Sequence, residues 1–235
     1  MKILVLLKSL FVYILYISIA FISLTVLVVF IFKWIDPPTT AFIQSKSSTG
    51  LFASVDEYNY EWKSIEKVSP YFPLAVVSSE DQAFFDHSGF DFNQIQKAMD
   101  DIEKGKRFRG ASTITQQTAK NLFLWEDQSL IRKGFEAYFT VVIELLWSKK
   151  RILEVYINIC ELGNDIYGVE AASQHYFNKP SERLNQPEAA LLATVLPSPL
   201  KRNASAPSDY MLIRRDRIIG QMNNLGGKEL IKEKL

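Results

Sequence analysis

The stretch "LAVVSSEDQAFFDHSG", residues 74–89, combines the apolar pattern of a buried helix with a carboxylate inside that pattern. Helical periodicity places five residues on neighbouring parts of one stripe: Val76, Val77, Glu80, Phe84 and His87. Asp81 follows Glu80 directly and points away from this stripe. Partial burial disfavours the charged form of a carboxyl group and raises its pKa, which suits a general base near neutral pH. A capping or salt-bridged acid at the edge of the core is the alternative, and spacing alone does not separate the two.

The helical pattern continues on both sides of this stretch. We assign helix starts to Pro73, Asp91 with Gln94, Thr113 with Gln116, Ser129, Pro187 and Ser208. We assign helix ends to Gly89, to the residue before Gly105, and to the pair Gly226 and Gly227. No alternating strand with a hairpin turn and no internal repeat stands out. The sequence therefore predicts one mainly α-helical domain over residues 58–235.

An apolar segment near the N-terminus predicts a membrane anchor. The run from Ser9 to Phe32 has 24 residues without a charge, with Lys8 before it and Lys33 after it. As a helix this run is about 36 Å long, which is enough to cross a bilayer. A cleaved signal peptide is the alternative, but its apolar region normally covers only about 7–15 residues. We expect residues 1–8 in the cytoplasm, an anchor over residues 9–33, a linker over residues 34–57 and the domain outside the cytoplasm.

Composition and charge exclude several classes of protein. The chain has 235 residues, and its 48% hydrophobic and 13% aromatic content indicates a folded core rather than disorder. Lys2, Lys8 and Lys33 flank the apolar run. Without them, 24 basic and 26 acidic residues remain, which is a less basic balance than that of a general nucleic-acid-binding protein. The basic residues are bunched, which fits either solvated helix ends or a local anion site. A single cysteine, Cys160, excludes an internal disulfide and most cysteine-metal sites.

A second stretch, "RFRGASTITQQTAKNLF" at residues 107–123, has the composition of an anion-binding helix start. If Ser112 and Thr113 begin a helix, free backbone amides and the positive end of the helix dipole face whatever lies before them. The side chains that can reach the same phosphorylated ligand are Arg107, Arg109, Gln116, Gln117 and Lys120. An ordinary capped helix with surface amides is the alternative. No Gly-Lys-Ser/Thr ending occurs, which excludes a Walker loop.

A third segment, "SLIRKGFEAYFTVVIELLW" at residues 129–147, combines two cations with an acid. Arg132 and Glu136 share a helix face at a spacing of four residues, and Lys133 lies beside them. An arginine before its acid is the weaker order for a helix-stabilising pair, so a structural role explains these residues only in part. We expect Glu144 and Glu154 to have structural roles or to support residues that contact the ligand. We expect His87 and His175 to be structural, since their spacing matches no metal site.

Four motifs together resemble those of a known enzyme family. "EDQAFFDHSG" is similar to a Glu-Asp-x-x-Phe-x-x-His-x-Gly signature, and "GASTITQQTAKNLF" to a Gly-x-Ser-Thr-Ile-x-Gln-Gln-x-x-Lys-Asn segment. "RKGFE" resembles Arg-Lys-x-x-Glu, and "KKRILEVYIN" resembles Lys-x-x-Ile-Leu-Glu-x-Tyr-Leu-Asn. The family is the peptidoglycan glycosyltransferases, glycosyltransferase family 51, and the likeness covers roughly residues 60–225. The departures, such as Ala111 for glycine and Ile157 for leucine, change no charged residue.

The resemblance implies a lysozyme-like, mainly α-helical glycosyltransferase domain behind a single transmembrane helix. It also implies that the substrate is lipid II, which joins a growing lipid-linked glycan chain through a β-1,4 bond while undecaprenyl diphosphate departs. Glu80 is then the general base for the acceptor hydroxyl, and Glu136 is the second carboxylate, beside the donor. The cations that neutralise the departing diphosphate are Lys120, Arg132 and Lys133. The other implied substrate contacts are Ser112, Thr113, Gln116, Gln117, Arg109 and Asp81.

The resemblance further implies a cofactor, partners and a location. Glu136 orients groups or helps to hold a divalent cation, Mg²⁺ or Mn²⁺, that assists diphosphate departure, and no organic cofactor is expected. The expected partners are lipid II, the growing glycan chain, the membrane bilayer and proteins of cell division or cell-wall synthesis, with no nucleic acid. The expected location is the bacterial inner membrane, with one span and the domain in the periplasm. Because the sequence ends soon after the last motif, we expect no transpeptidase domain.

Two other functions stay open at this point. A peptidoglycan-cleaving enzyme of lysozyme-like fold also pairs carboxylates on helices, but its leaving group is a sugar and does not require three cations. An inactive membrane scaffold for cell-wall or division proteins requires none of the charged motif residues. Four apolar residues are either core residues or contacts to lipid headgroups: Phe108, Phe123, Leu124 and Trp125.

Overall fold

The computed structural model describes residues 2–46, 59–106, 110–127 and 129–235. Its contacts divide the chain into two compact units, Met1–Pro37 and Pro38–Leu235. Arg107, Phe108 and Arg109 lie outside the described residues, and so does the part of the predicted linker from 47 to 57. The roles predicted for Arg109 and Phe108 therefore stay predictions.

Both units are mainly helical. The α-helices among the described residues are α1 (Lys2–Ile31), α2 (Ala41–Lys46), α3 (Tyr71–Glu80), α4 (Phe92–Glu103), α5 (Ile114–Phe123), α6 (Leu130–Leu146), α7 (Lys149–Ile159), α8 (Val169–Phe177), α9 (Gln186–Val195), α10 (Asp209–Asn224) and α11 (Lys228–Lys234). Short 3₁₀ helices cover Ile65–Lys67 and Ser181–Arg183. The predicted helical class is confirmed.

The first unit consists of α1 and the turns that follow it. Within α1, Leu6–Ile31 forms an apolar segment of 26 residues. By length and composition, this is the one helix among the described residues that could cross a membrane. Side chains such as those of Leu10 and Phe11 are exposed, unlike the side chains of a core helix in a soluble protein. The helix fits the predicted single-pass anchor.

The core of the second unit lies around α3, which is buried on every side. All residues from Phe72 to Ser78 are buried, so α3 lacks the one-sided apolar stripe of a surface helix. α9 packs against both α3 and α10, and α10 also contacts α3. α5 packs against α6 and α7. This packing fixes the C-terminal end of α3 near α10 and fixes α5 against the charged residues of α6.

Most helices begin where local sequence signals predict. The hydroxyls of Ser129 and Ser208 accept hydrogen bonds from the backbone at the starts of α6 and α10. Asp91 caps α4 by accepting from the Gln94 N–H at 2.9 Å. The start of α9 is capped by Asn185, two residues before the predicted Pro187. α11 follows the predicted end of the last helix and was not predicted.

A small three-stranded sheet was missed by the sequence analysis. β1 (Asn59–Tyr60) pairs in parallel with β3 (Ile166–Tyr167), and β2 (Glu161–Gly163) pairs antiparallel to β3. Strands of two or three residues are too short to show an alternation of apolar and polar side chains. β1 also lies far from the other two strands in sequence, and only the tertiary fold brings them together.

The predicted helix from Pro73 to Gly89 is wrong in its second half. α3 ends at Glu80, and Asp81 has φ −159° and ψ 77°, outside the helical region. Turns follow as far as Gly89, because the Asp81 side chain binds groups that lie outside the helix. Phe84 is fully buried as predicted, but neither Phe84 nor His87 continues the helix that carries Glu80.

Candidate active site

The start of α5 forms one wall of the candidate site. Thr113 and Gln116 make a capping box, in which the Gln116 N–H donates to Thr113 Oγ1 at 3.2 Å and the Thr113 N–H donates to Gln116 Oε1 at 3.0 Å. The Thr113 hydroxyl also donates to the Gly89 carbonyl at 2.7 Å. Both residues are buried and have a capping role in the structure. A contact from their side chains to substrate stays a prediction.

Glu80 is the last residue of α3 and is half-buried beside this wall. Its Oε2 accepts a hydrogen bond from Gln117 Nε2 at 3.1 Å. Burial raises the pKa of Glu80, while the Gln117 hydrogen bond and the charges of Arg214 and Arg202 oppose that rise. The net direction is upward. A carboxyl group with a raised pKa is suited to exchange a proton near neutral pH.

Asp81 and His87 form a buried pair that joins the end of α3 to the start of α5. His87 Nε2 lies 2.9 Å from Asp81 Oδ1, and the backbone N–H of Ile114 donates to Asp81 Oδ2 at 3.0 Å. The Gly89 N–H donates to His87 Nδ1 at 3.1 Å, so Nδ1 carries no proton and Nε2–H is the donor to Asp81. Both Asp81 oxygens therefore accept bonds from the protein. The substrate contact predicted for Asp81 stays a prediction.

On α6, Glu136 lies between two cations. Arg132 Nη1 donates to Glu136 Oε2 at 2.8 Å, and Lys133 Nζ donates to Glu136 Oε1. Lys133 Nζ also lies 3.4 Å from Ser112 Oγ, which links α6 to the segment before α5. Glu136 is only 3% exposed, whereas the Lys133 side chain is 46% exposed. The buried acid therefore holds two cations on one helix face, and one of the two remains open to solvent.

Lys120 brings a third cation to the same region from α5. Burial lowers the pKa of Lys120, and the negative charge of Glu136 opposes that effect. Glu136 and Glu126, the two acids that act on Lys120, already form ion pairs with other cations. Its Nζ lies 6.0 Å from the centre of the Phe42 ring. The half-buried ammonium is therefore available to attract an anion.

Two cavities open beside α5. One has a volume of about 320 Å³ and is lined by Glu80, Ser112 and Gln221 among others. The other, of about 460 Å³, is lined by Lys120 and Arg132 among others. The seven steps from Thr113 to Lys120 correspond to roughly 10 Å along a helix axis. A carboxylate with a raised pKa, Glu80 of α3, thus lies at the cavity near the start of α5, and cations of α5 and α6 lie at the cavity near its end.

The described residues do not offer a carboxylate cage for a divalent cation. Among them, no group of three or more His, Cys, Asp or Glu side chains is arranged to hold a metal ion. Both oxygens of Glu136 are engaged by Arg132 and Lys133, and its charge also acts on the cation of Lys120. Such a donor set does not fit Mg²⁺ or Mn²⁺, which prefer several oxygen ligands.

Sequence analysis missed four residues of the Glu80 surroundings. Tyr156 on α7 donates its hydroxyl proton to Gln117 Oε1 at 2.9 Å. Arg202 and Arg214 are close enough to affect the pKa of Glu80, and Gln221 lines its cavity. Tyr156 does occur within the "KKRILEVYIN" motif, and Arg214 within a basic cluster. Neither pattern indicates which distant residue it faces.

Two carboxylates expected to be structural make contacts of that kind. Glu144 Oε1 accepts from the Thr115 hydroxyl at 2.5 Å and from Lys149 Nζ at 2.7 Å. Glu154 Oε1 accepts from the backbone N–H of Ile65 at 3.2 Å, which fastens the segment after β1 to α7. These bonds tie α6 and α7 to their neighbours.

The apolar residues after α5 divide between core and surface. Phe123 stacks on Phe139 with ring centres 4.5 Å apart, and Leu124 is 2% exposed. Trp125 is 45% exposed. Among the three described residues of this group, Trp125 is the most exposed, and its contact to lipid headgroups stays a prediction.

Comparison with known proteins was made over the whole chain. A family model described as transglycosylase matches residues 48–223. A protein of Mannheimia succiniciproducens is 53% identical over 210 residues, which is 88% of this chain and 85% of the relative. A protein of Cronobacter sakazakii is 49% identical over 202 residues, 85% of this chain and 84% of the relative. One of Marinomonas sp. is 51% identical over 206 residues, 88% of both chains, and all three are named biosynthetic peptidoglycan transglycosylase.

Proposed function

The chain belongs to the transglycosylase family, and from this premise we propose that it is a peptidoglycan glycosyltransferase. Its reaction is the polymerisation of lipid II into β-1,4 glycan strands, with release of undecaprenyl diphosphate. The name shared by the relatives supports this reaction. The observation that carries the proposal is the placement of Glu80 at one cavity and of Lys120 and Arg132 at another, with both cavities beside α5.

The first proposed step is removal of a proton by Glu80. The 4-hydroxyl of the acceptor sugar binds in the cavity beside Glu80 and gives its proton to the carboxylate as its oxygen attacks the anomeric carbon of the donor. Burial raises the pKa of Glu80 and so strengthens it as a base. The Gln117 hydrogen bond stabilises the ionised form that must be present before attack. Attack opposite the leaving group inverts the linkage from α to β.

The second element of the mechanism is stabilisation of the diphosphate as it leaves. Negative charge grows on the diphosphate when the anomeric bond breaks, and it is stabilised most by cations already held in place. Arg132 is held by Glu136, and Lys120 is half-buried on α5. Lys133, which is more exposed, completes the group and can follow the diphosphate towards solvent.

Glu136 acts in this proposal through the cations that it orients. Its carboxylate engages Arg132 and Lys133, which leaves the third cation, Lys120, without an ion-pair partner in the same group. The group therefore keeps net positive charge for the diphosphate. A requirement for Mg²⁺ or Mn²⁺ stays a prediction, and no step is derived through a metal ion.

The membrane helix gives this chemistry its setting. Both substrates carry polyprenyl chains, and an anchored enzyme meets them at the bilayer surface with the reacting groups at short range. We place α1 across the bacterial inner membrane with its N-terminus inside and the second unit in the periplasm. Proteins of cell division or cell-wall synthesis remain proposed partners.

The direct test is conversion of radiolabelled lipid II to polymer by the purified full-length protein. Glu80→Gln is expected to lower polymerisation at least about 100-fold, the lower end of the range for loss of a general base. The pKa of Glu80 is raised in the folded protein, so ionisation of Glu80 at neutral pH lowers the free energy of unfolding. This loss is absent below the usual pKa of a glutamate, where Glu80 is protonated in both the folded and the unfolded state. The variant should therefore unfold at the same or a higher temperature than the parent.

The matched control is Glu182→Gln, which removes an exposed carboxylate and should leave polymerisation unchanged. Unaltered turnover in Glu80→Gln would exclude Glu80 as the base. Digestion of purified sacculi without any polymerisation would instead favour the peptidoglycan-cleaving alternative. A protein that does neither, while folding normally, would favour the inactive scaffold.

A further inference from the structure

A chain of two hydrogen bonds reaches Glu80 from the interior of the second unit. The Tyr156 hydroxyl donates to Gln117 Oε1 at 2.9 Å, and Gln117 Nε2 donates to Glu80 Oε2 at 3.1 Å. Each residue lies on a different helix, α7, α5 and α3 respectively. We propose that Tyr156 is a positioning residue that, through Gln117, keeps Glu80 in the ionised and oriented form in which a base can act.

The direction in which the Gln117 amide faces is coupled to the protonation state of Glu80. An amide presents an acceptor oxygen on one side and donor hydrogens on the other. An ionised Glu80 offers only acceptors, so it binds Gln117 through the NH₂ group. The oxygen then faces Tyr156, whose hydroxyl proton it accepts. The arrangement found in the structure therefore matches a carboxylate at position 80.

A protonated Glu80 would favour the opposite orientation of the amide. Its O–H group would donate to the Gln117 oxygen, and the NH₂ group would then face the Tyr156 hydroxyl. Tyr156 is 1% exposed, and in the described ranges Gln117 Oε1 is the acceptor of its hydroxyl proton. After a flip that buried proton would lose its acceptor, which is costly in a buried site. Tyr156 thus opposes the flip, and with it the protonation of Glu80.

Tyr156 is suited to this role because its hydroxyl keeps its proton. Burial first, and then the charge of Glu80, raise the pKa of Tyr156 well above its usual value. The hydroxyl is therefore a donor throughout the pH range in which the enzyme can be assayed. Phenylalanine at this position would fill nearly the same volume and remove only the donor.

Other titratable and charged groups also face Glu80 or its cavity. They are Arg214 on α10, Arg202 in the loop before it, Cys160 after α7, Asp81 next along the chain and Asp91 before α4. Burial raises the pKa of the Cys160 thiol, so this group stays neutral. All of these groups are retained when Tyr156 is replaced, so a difference between variant and parent reports the hydroxyl alone.

The test is the pH dependence of kcat/KM for lipid II polymerisation, measured with full-length Tyr156→Phe and parent protein. The inference rests on the proposed function, because the readout is polymerisation. We expect the acidic limb of the variant profile to move to higher pH by roughly half to one unit, the size expected for loss of one hydrogen bond. At the alkaline plateau, where Glu80 is ionised in both proteins, the rates should agree within about threefold.

Two further variants separate this role from a structural one. Tyr176→Phe removes a hydroxyl that donates to the Leu162 carbonyl at 2.8 Å, and it should leave the acidic limb in place. Gln117→Met breaks the same chain and should move the limb in the same direction. Tyr156→Phe added to Gln117→Met should then cause no further movement, because the hydroxyl acts only through Gln117.

The outcomes are distinguishable from one another. An acidic limb that stays in place in Tyr156→Phe overturns the inference, and so does an equal movement in Tyr176→Phe. If Tyr156→Phe fails to fold, an acidic limb in Gln117→Met that matches the parent overturns it instead. If the parent protein itself does not polymerise lipid II, the proposed function fails first.

Discussion

The Asp81–His87 pair provides the sharpest test of how the candidate site is held together. Asp81→Asn keeps the size and shape of the side chain but replaces one acceptor oxygen by an NH₂ donor. The Asp81 side chain is 3% exposed, so solvent cannot compensate for the change. The Ile114 N–H can still bind the remaining oxygen at Oδ2. His87 Nε2–H, which lies 3.1 Å from Oδ2, must then share that oxygen while it also faces the new NH₂ donor. His87 cannot exchange tautomers without losing the Gly89 N–H at its Nδ1.

The expected cost follows from these contacts. The substitution makes two buried donors share one oxygen and sets one of them against a new donor, at about 1–3 kcal/mol, and removal of the acceptor's charge weakens the other hydrogen bond by roughly 1 kcal/mol. The sum is about 2–4 kcal/mol of unfolding free energy. For a domain of this size, each kcal/mol corresponds to roughly 2–4 °C, so the unfolding temperature should fall by roughly 5–15 °C. The measurement is thermal unfolding of full-length protein in detergent, followed by tryptophan fluorescence.

Asp86→Asn is the matched control, because it removes the same charge from an exposed position in the same series of turns. Exposed substitutions usually change stability by less than about 0.5 kcal/mol. In a His87→Ala background, Asp81→Asn should cost less than in the parent, since the opposing donor is gone. An unfolding temperature for Asp81→Asn within about 1 °C of that for Asp86→Asn would refute the assigned hydrogen bonds.

Two further predictions concern α5. Lys120→Gln keeps a polar side chain but removes the cation. Polymerisation, measured as lipid II turnover, should fall about 100-fold or more, and the circular dichroism spectrum should show an unchanged fold. Equal turnover in the variant would exclude Lys120 from stabilising the leaving diphosphate. Thr113→Ala removes the N-cap of α5, which is buried. It should lower the unfolding free energy measured in urea titrations by about 2 kcal/mol. Thr113→Ser retains the cap oxygen and should recover most of this loss.

Features that depend on neighbouring residues could be predicted from the sequence. The capping box of Thr113 and Gln116 is formed as expected, since both partners lie within one helical turn. The same holds for Arg132 and Glu136, which helical geometry places one above the other. The apolar run of the anchor is local in the same sense, because length and composition alone make a helix that can cross a bilayer.

Features that depend on distant residues could not be predicted. The end of α3 at Glu80 depends on Ile114 and His87, whose binding of Asp81 outweighs the helical pattern that runs on to Gly89. The sheet depends on strands too short to carry a pattern. Gln117 was expected to contact the ligand, yet the structure uses its amide between Tyr156 and Glu80. No spacing rule relates these three positions.

By itself the sequence determined the helical class, the family, the identity of the charged residues and an N-terminal helix that could cross a membrane, because periodicity, length and motif chemistry are properties of contiguous residues. Only the tertiary structure decided which partners those residues meet. Glu80 lies at a cavity, bonded to Gln117, and Lys120 lies among the charges of α6 because α3 packs against α10 and α5 packs against α6. The physical reason is that burial and hydrogen bonding, which set the pKa of a carboxyl group and the direction of an amide, arise from side chains far apart along the chain.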